Sequence, residues 1–160
     1  MSIFEDTRKD TLDKRRLDDH RRKDSAVLTR LDPATGYTPL ATAVVAGHAY
    51  LARDLIEWGA DPTGFSGDGE IPLLLSAWKE EKEQALLIHC LLRYAPKTVD
   101  MTCQAAGNKT PLMFAVEKKD LRSIRELKKH EASVSIKDGE GFSALQRAEA
   151  QAGGKGRKSK

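Results

Sequence analysis

The sequence predicts an all-α solenoid of paired antiparallel helices joined by hairpin-like loops. Three observations carry this. Thr38-Pro39-Leu40 returns 33 residues later as Ile71-Pro72-Leu73, and Thr110-Pro111-Leu112 returns 33 residues later as Ser143-Ala144-Leu145. Small residues trail three of these elements: Gly59-Ala60-Asp61, Tyr94-Ala95 and Glu131-Ala132. Between each start and its trailing alanine lie two helix-length segments with helical apolar spacing. A repeat of this length marks a stacked array of short units rather than one enclosed core. It also moves the functional question from an active site to a surface, because stacked arrays bind along extended faces.

The first 30 residues differ from the rest. Between Asp6 and Asp24 nearly every side chain is charged, with Leu12, Leu17 and His20 as weak apolar punctuation. This reads as a charged, partly helical extension over 1–30. Ser25 to Leu31 is the first stretch with apolar spacing fit to dock, covering the open end of the array.

The repeat domain follows over 31–150. Its first unit, about 36–68, opens with Thr38 as cap and Pro39 in the first turn, where a missing N–H costs nothing. Gly47-His48 ends that helix, and a second runs from about Tyr50 to Trp58. The second unit, about 69–107, has Ile71 in place of the threonine cap, a loss of about 1 kcal/mol. Its second helix, near Gln84 to Tyr94, is the most apolar in the chain and is expected to be the most buried. Four extra residues in the join after Ala95 are expected as a surface loop. The third unit, about 108–140, carries Asn108 where the others have Gly36, Gly69 and Gly141. Asn tolerates left-handed backbone, so the turn shape is expected to persist. Its helices run from Pro111 to Lys118 and from Leu121 to Lys129. A partial fourth unit spans 141–150, polar on one side as a terminal cap requires. Residues 151–160 read as a disordered basic tail.

These residues resemble the ankyrin repeat: a turn, a helix opened by T-P-L, a G-H junction, a second helix and G-A-D. Gly36 to Asp61 carries the likeness best, with Ala132 to Leu145 similar to the hairpin joining consecutive units. The resemblance spans roughly 32 to 150. The histidine that usually follows T-P-L is Ala41, Leu74, Met113 and Gln146 here. That histidine bonds between repeats, so this stack is expected to lean on apolar packing. The family binds through its fingers and the inner face of its first helices. By position this implies three aligned helix rows: Thr42, Leu75 and Phe114; Val45, Trp78 and Glu117; Ala46, Lys79 and Lys118. The finger positions are Tyr37, Glu70, Lys109 and Phe142. Val45, Leu75, Trp78 and Phe114 make this face more apolar than solvent requires, and large aromatics dominate interface energies.

Composition bounds the alternatives. The 160 residues carry 27 basic and 24 acidic side chains, a net charge of +3 too small to imply nucleic acid. No apolar run approaches membrane-spanning length. The N-terminus lacks a basic-then-apolar leader, which points to an intracellular setting, cytoplasmic or nuclear. Cys90 and Cys103, the two cysteines, read as buried thiols. His20, His48, His89 and His130 converge on nothing, and no zinc-like spacing appears. Gly64, Gly67 and Gly69 lack the Lys-Ser/Thr of a phosphate loop. The expectation is a protein without catalysis, metal or cofactor that binds a protein or peptide on its concave face. Two alternatives stand beside it. One is a structural subunit or fragment of a larger assembly, docking through the charged N-terminal helix. The other is weak nucleic-acid association through Arg15-Arg16, Arg21-Arg22-Lys23 and the tail cations Lys155, Arg157, Lys158 and Lys160. In the first 24 residues seven acids offset eight bases, which ranks nucleic acid last.

Overall fold

The structure is a computed structural model, and it describes residues 1–78 and 83–153. Among the described residues it is all-helical, with one isolated antiparallel bridge, Lys137 to Ser143. Among the described residues nine α-helices run in order: α1 Ile3–Arg8, α2 Lys14–Lys23, α3 Pro39–Val45, α4 Ala49–Glu57, α5 Pro72–Trp78, α6 Gln84–Tyr94, α7 Pro111–Glu117, α8 Leu121–Lys129 and α9 Ala144–Gly153. The odd-numbered helices form one row, α1 on α3 on α5 on α7 on α9. Behind it α4, α6 and α8 form a second row, each also packed on the first helix of its own unit. The core lies between the rows and is built from the repeated leucines: Leu40, Leu73 and Leu112 are all buried.

Local chemistry sets each start. The hydroxyls of Thr38 and Thr110 accept the N–H of Ala41 and Met113 at 3.1 and 3.3 Å, capping α3 and α7. Ser143 and Gln146 exchange bonds of 3.2 and 3.0 Å ahead of α9, a reciprocal cap. Ile71 supplies no such oxygen, but its side chain is buried, so apolar burial offsets the lost cap.

Left-handed backbone recurs at the junctions. Asn108 has φ 54°, alongside Gly36 at 71°, Gly69 at 77° and Gly141 at 85°, so the expected turn shape persists without glycine. Gly67 N–H donates to the Gly36 carbonyl at 2.8 Å, and Gly139 N–H to that of Gly107 at 2.9 Å, tying neighbouring turns. A Cβ at Gly139 would stand 3.1 Å from that carbonyl oxygen, so the approach suits glycine there.

The missing inter-unit histidines are replaced twice over. Ala41, Leu74 and Met113 are buried, the apolar packing the sequence leads one to expect. In addition, a side chain at the junction of one unit caps the preceding first helix. His48 Nε2–H donates to the Arg8 carbonyl at 3.0 Å, and Lys118 Nζ donates to that of Ala77 at 2.9 Å. These bonds satisfy carbonyls that a helix end leaves unpaired.

The N-terminal segment departs from a solvated extension. Ser2 and Glu5 form a capping box on α1, and Ile3, Phe4, Leu12 and Leu17 are buried in the common core. Leu17 is 0% exposed. Asp6, itself buried, accepts Arg16 Nη1 at 2.7 Å and lies 2.9 Å from His20 Nε2, which joins α2 to α1. The mixed charges therefore fold the segment as well as solvate it, and α1 extends the first-helix row by one member. Val27 and Leu28 are buried as their spacing suggests, while Leu31 is exposed.

Two further expectations change. Helix α6 is one-sided: Leu87, Ile88, Leu91 and Leu92 are buried, but Leu86, His89, Arg93 and Tyr94 face out. The join after Ala95 folds back as two 3₁₀ turns, Pro96–Thr98 and Gln104–Ala106. Asp100 in it accepts the Ser133 N–H at 2.9 Å, anchoring it to the next join. At the other end α9 reaches Gly153, three residues into the stretch read as tail. The rest of that tail, with Lys155, Arg157, Lys158 and Lys160, lies outside the described residues, as do Lys79 and its neighbours to Lys82.

Candidate functional site

The aligned rows of the first helices meet the turns at one place. Trp78 ends α5 and is half-buried. Its ring stacks on Phe114 of α7, centroids 5.9 Å apart at 21°. Lys109, in the turn before α7, holds Nζ 5.5 Å from the Phe114 centroid and pairs with Glu117 at 2.8 Å. These three side chains and Glu140 line a recess of about 290 Å³ floored by Ala105, Ala106 and Gly107. Offset stacking with a cation over the face suits the ring quadrupoles and holds both rings in place.

A charged network frames the recess. Arg147 of α9 pairs with Glu117 at 2.8 Å and with Glu140 at 2.9 Å, and its guanidinium also meets Asp138. It lies 5.6 Å from the Phe142 ring centroid, and Phe142 is 50% exposed beside it. Burial pushes the Asp138 carboxyl up. Bonds from Arg147 and from the N–H groups of Phe142 and Glu140 outweigh that and hold it below the usual range. Asp32 plays the matching part at the first turn. Burial raises its carboxyl, but bonds from the Ala34 N–H and from Arg8 outweigh that and hold it below the usual range.

The remaining predicted residues divide. Trp78, Lys109 and Phe114 line the recess, Glu117 is tied to it through Lys109, and Phe142 packs on Arg147. Leu75 is 0% exposed and belongs to the core, in a row whose other members Thr42 and Phe114 are also buried. Thr42 is buried, its hydroxyl spent on the Thr38 carbonyl at 3.0 Å. Glu70 is buried against Ser66, whose hydroxyl donates to it at 3.1 Å. These three offer no surface to a partner. Tyr37 and Val45 are half-buried at the first unit, packed on the core edge. Lys118 serves the helix end of α5.

Glu140, Arg147 and Asp138 escaped the sequence reading. A signal existed for Arg147: it is the fourth member of the row Thr42, Leu75 and Phe114, one unit further on. Glu140 had none, since it reaches the recess only through the fold of its turn.

The histidines do not gather. His89 is exposed and bridges to Glu126 at 3.0 Å, His48 caps α1, and His20 meets Asp6. Among the described residues no three of His, Cys, Asp and Glu are placed to hold a metal ion. No described helix is long and apolar enough to cross a membrane. Cys90 and Cys103 are buried free thiols.

No family model matches the chain. Over 108 residues, 68% of its length, it is 32% identical to the palmitoyltransferase AKR1 of Lachancea kluyveri. The chain spans 14% of that protein.

Proposed function

We propose that the chain is an ankyrin-type protein-interaction module without catalytic activity, binding a protein or peptide at the recess around Trp78 and Phe114. The supporting observation is the stacked Trp78–Phe114 pair lining a concavity with Lys109 and Glu140, whose charges are paired in turn with Glu117 and Arg147. Rigid aromatic side chains beside charged ones match the anatomy of interface hot spots. The rim charges are already mutually paired, so a partner meets a preorganised surface and orders few side chains on binding. Phe142, exposed one turn away, extends the apolar contact towards α9. The ankyrin reading rests on the 33-residue spacing, on tied neighbouring turns and on two helix rows. Palmitoyl transfer is not extended to this chain, whose likeness to AKR1 covers 14% of that protein.

Capture from cell extract on the immobilised chain tests this. Trp78→Ala is expected to weaken retention of the principal partner by about 2 kcal/mol, roughly 30-fold. Phe142→Ala, at an exposed position, gives a smaller loss. Retention unchanged in both variants, with melting unchanged, removes the recess from the interface. Phe114 is unsuited to this test because it is buried, and truncating it would perturb the core.

The N-terminal docking alternative is weakened as a separate module, since Ile3, Phe4 and Leu17 are committed to the core. Some of the basic residues there are also engaged: Arg8 with Asp32, Arg16 with Asp6, and Arg21 with the Trp58 carbonyl.

A further inference from the structure

We propose that the outward face of α4, α6 and α8 is a second docking surface, for an extended acidic peptide segment in which apolar side chains alternate with carboxylates. Two grooves flank α6. One, of about 280 Å³, lies against α4 and is lined by Tyr50, Arg53, Cys90, Arg93 and Tyr94. The other, of about 430 Å³, lies against α8 and is lined by Arg122, Arg125 and Lys129. Leu86 and His89 line both, so the two are continuous over the crest of α6.

The chemistry of the face is lopsided. Five permanent cations line the grooves against two carboxylates, Glu57 and Glu126. Both carboxylates are already engaged. Glu57 accepts the Tyr94 hydroxyl at 3.1 Å and lies 3.9 Å from Arg53. Glu126 takes Lys129 at 2.6 Å and His89 at 3.0 Å. Arg93, Arg122 and Arg125 form no ion pair among the described residues. Their guanidinium forks match carboxylates two bonds at a time.

Beside the cations lies exposed apolar surface: Tyr50, Leu86 and Tyr94 are 64, 41 and 39% exposed. Arg122, Arg125 and Lys129 follow one another along a single side of α8, over about 10 Å. An extended chain covers that length in about three residues, sending alternate side chains to opposite faces. Carboxylates would then meet the α8 row while apolar side chains enter the groove. Single-stranded nucleic acid and an anionic bilayer are the competing candidates for the same cations.

Panning a random dodecapeptide phage library on the full chain, then measuring fluorescence anisotropy of the labelled consensus peptide, tests this. Enrichment of alternating acidic and apolar residues is expected. Arg122→Gln with Arg125→Gln should lower affinity at least about tenfold. Tyr50→Ala on the facing wall should also weaken binding, and Trp78→Ala should leave it unchanged. All of these side chains but Trp78 are exposed, and far-UV circular dichroism checks that helix content is kept. Four results overturn the proposal: no enrichment, a consensus without acids, indifference to the arginine variant, or loss on Trp78→Ala. Displacement of the peptide by single-stranded DNA or phosphatidylserine vesicles through the same arginines overturns it as well.

Discussion

Lys119 and Glu131 hold left-handed backbone, with φ 57 and 62°, where the first unit has Gly47 and Gly59. A side chain in that region costs about 1–2 kcal/mol. Both are exposed, so nothing is lost from the core on replacement. Lys119→Gly should therefore stabilise the fold by about 1 kcal/mol after the entropy of glycine is deducted, read as a shifted denaturant midpoint. The identities at these positions are legible in the sequence as departures from glycine, but not their backbone, which depends on the register of the stack. Asp138 makes the second prediction at this scale. Its folded pKa is depressed, so the stability it confers is fully present above the ordinary aspartate value near 3.9. It is lost as pH falls through the folded value. Asp138→Asn should cost about 1–3 kcal/mol at neutral pH. The gap from the parent chain should close progressively below about pH 4. A constant gap across that range would mean that the charge of Asp138 is not what holds the turn.

Among the elements, equivalent leucines find unequal surroundings. Leu73 is 0% exposed between rows, while Leu145 at the same place in the fourth unit is 51% exposed. Among the described residues no second helix packs on α9. Leu73→Ala should cost about 3 kcal/mol and Leu145→Ala under about 1, by urea unfolding. The first helices were readable because the T-P-L spacing recurs, with threonine cap and proline both present at Thr38-Pro39 and Thr110-Pro111 and one or both replaced in the second and fourth units. α1 and α2 were not. Their burial rests on isolated residues, Ile3, Phe4, Leu12 and Leu17, in a charged run with no periodic stripe to reveal them. The outward half of α6 was hidden for the opposite reason. Leu86 and Tyr94 raise its apolar content, yet they lie on the side away from the core.

For the whole molecule, side-chain bonds between units make the stack a continuous support for the recess. Trp78 sits on α5 and Phe114 on α7, and Arg147 of α9 is tied to the recess through Glu140. Of that site, Trp78, Phe114, Lys109 and Glu117 were legible as aligned positions of a repeat. Leu75, Thr42 and Glu70 were misread as surface, because alignment gives a residue's place in its unit but not how closely the neighbouring unit approaches. The most direct test is amide hydrogen exchange on the full chain, free and bound to the principal protein it captures. Added protection should fall at the C-terminal end of α5, across Gln104 to Phe114 and at Asp138 to Phe142. Protection confined to α4, α6 and α8, with the Trp78 recess unchanged, would contradict the assignment of the binding face.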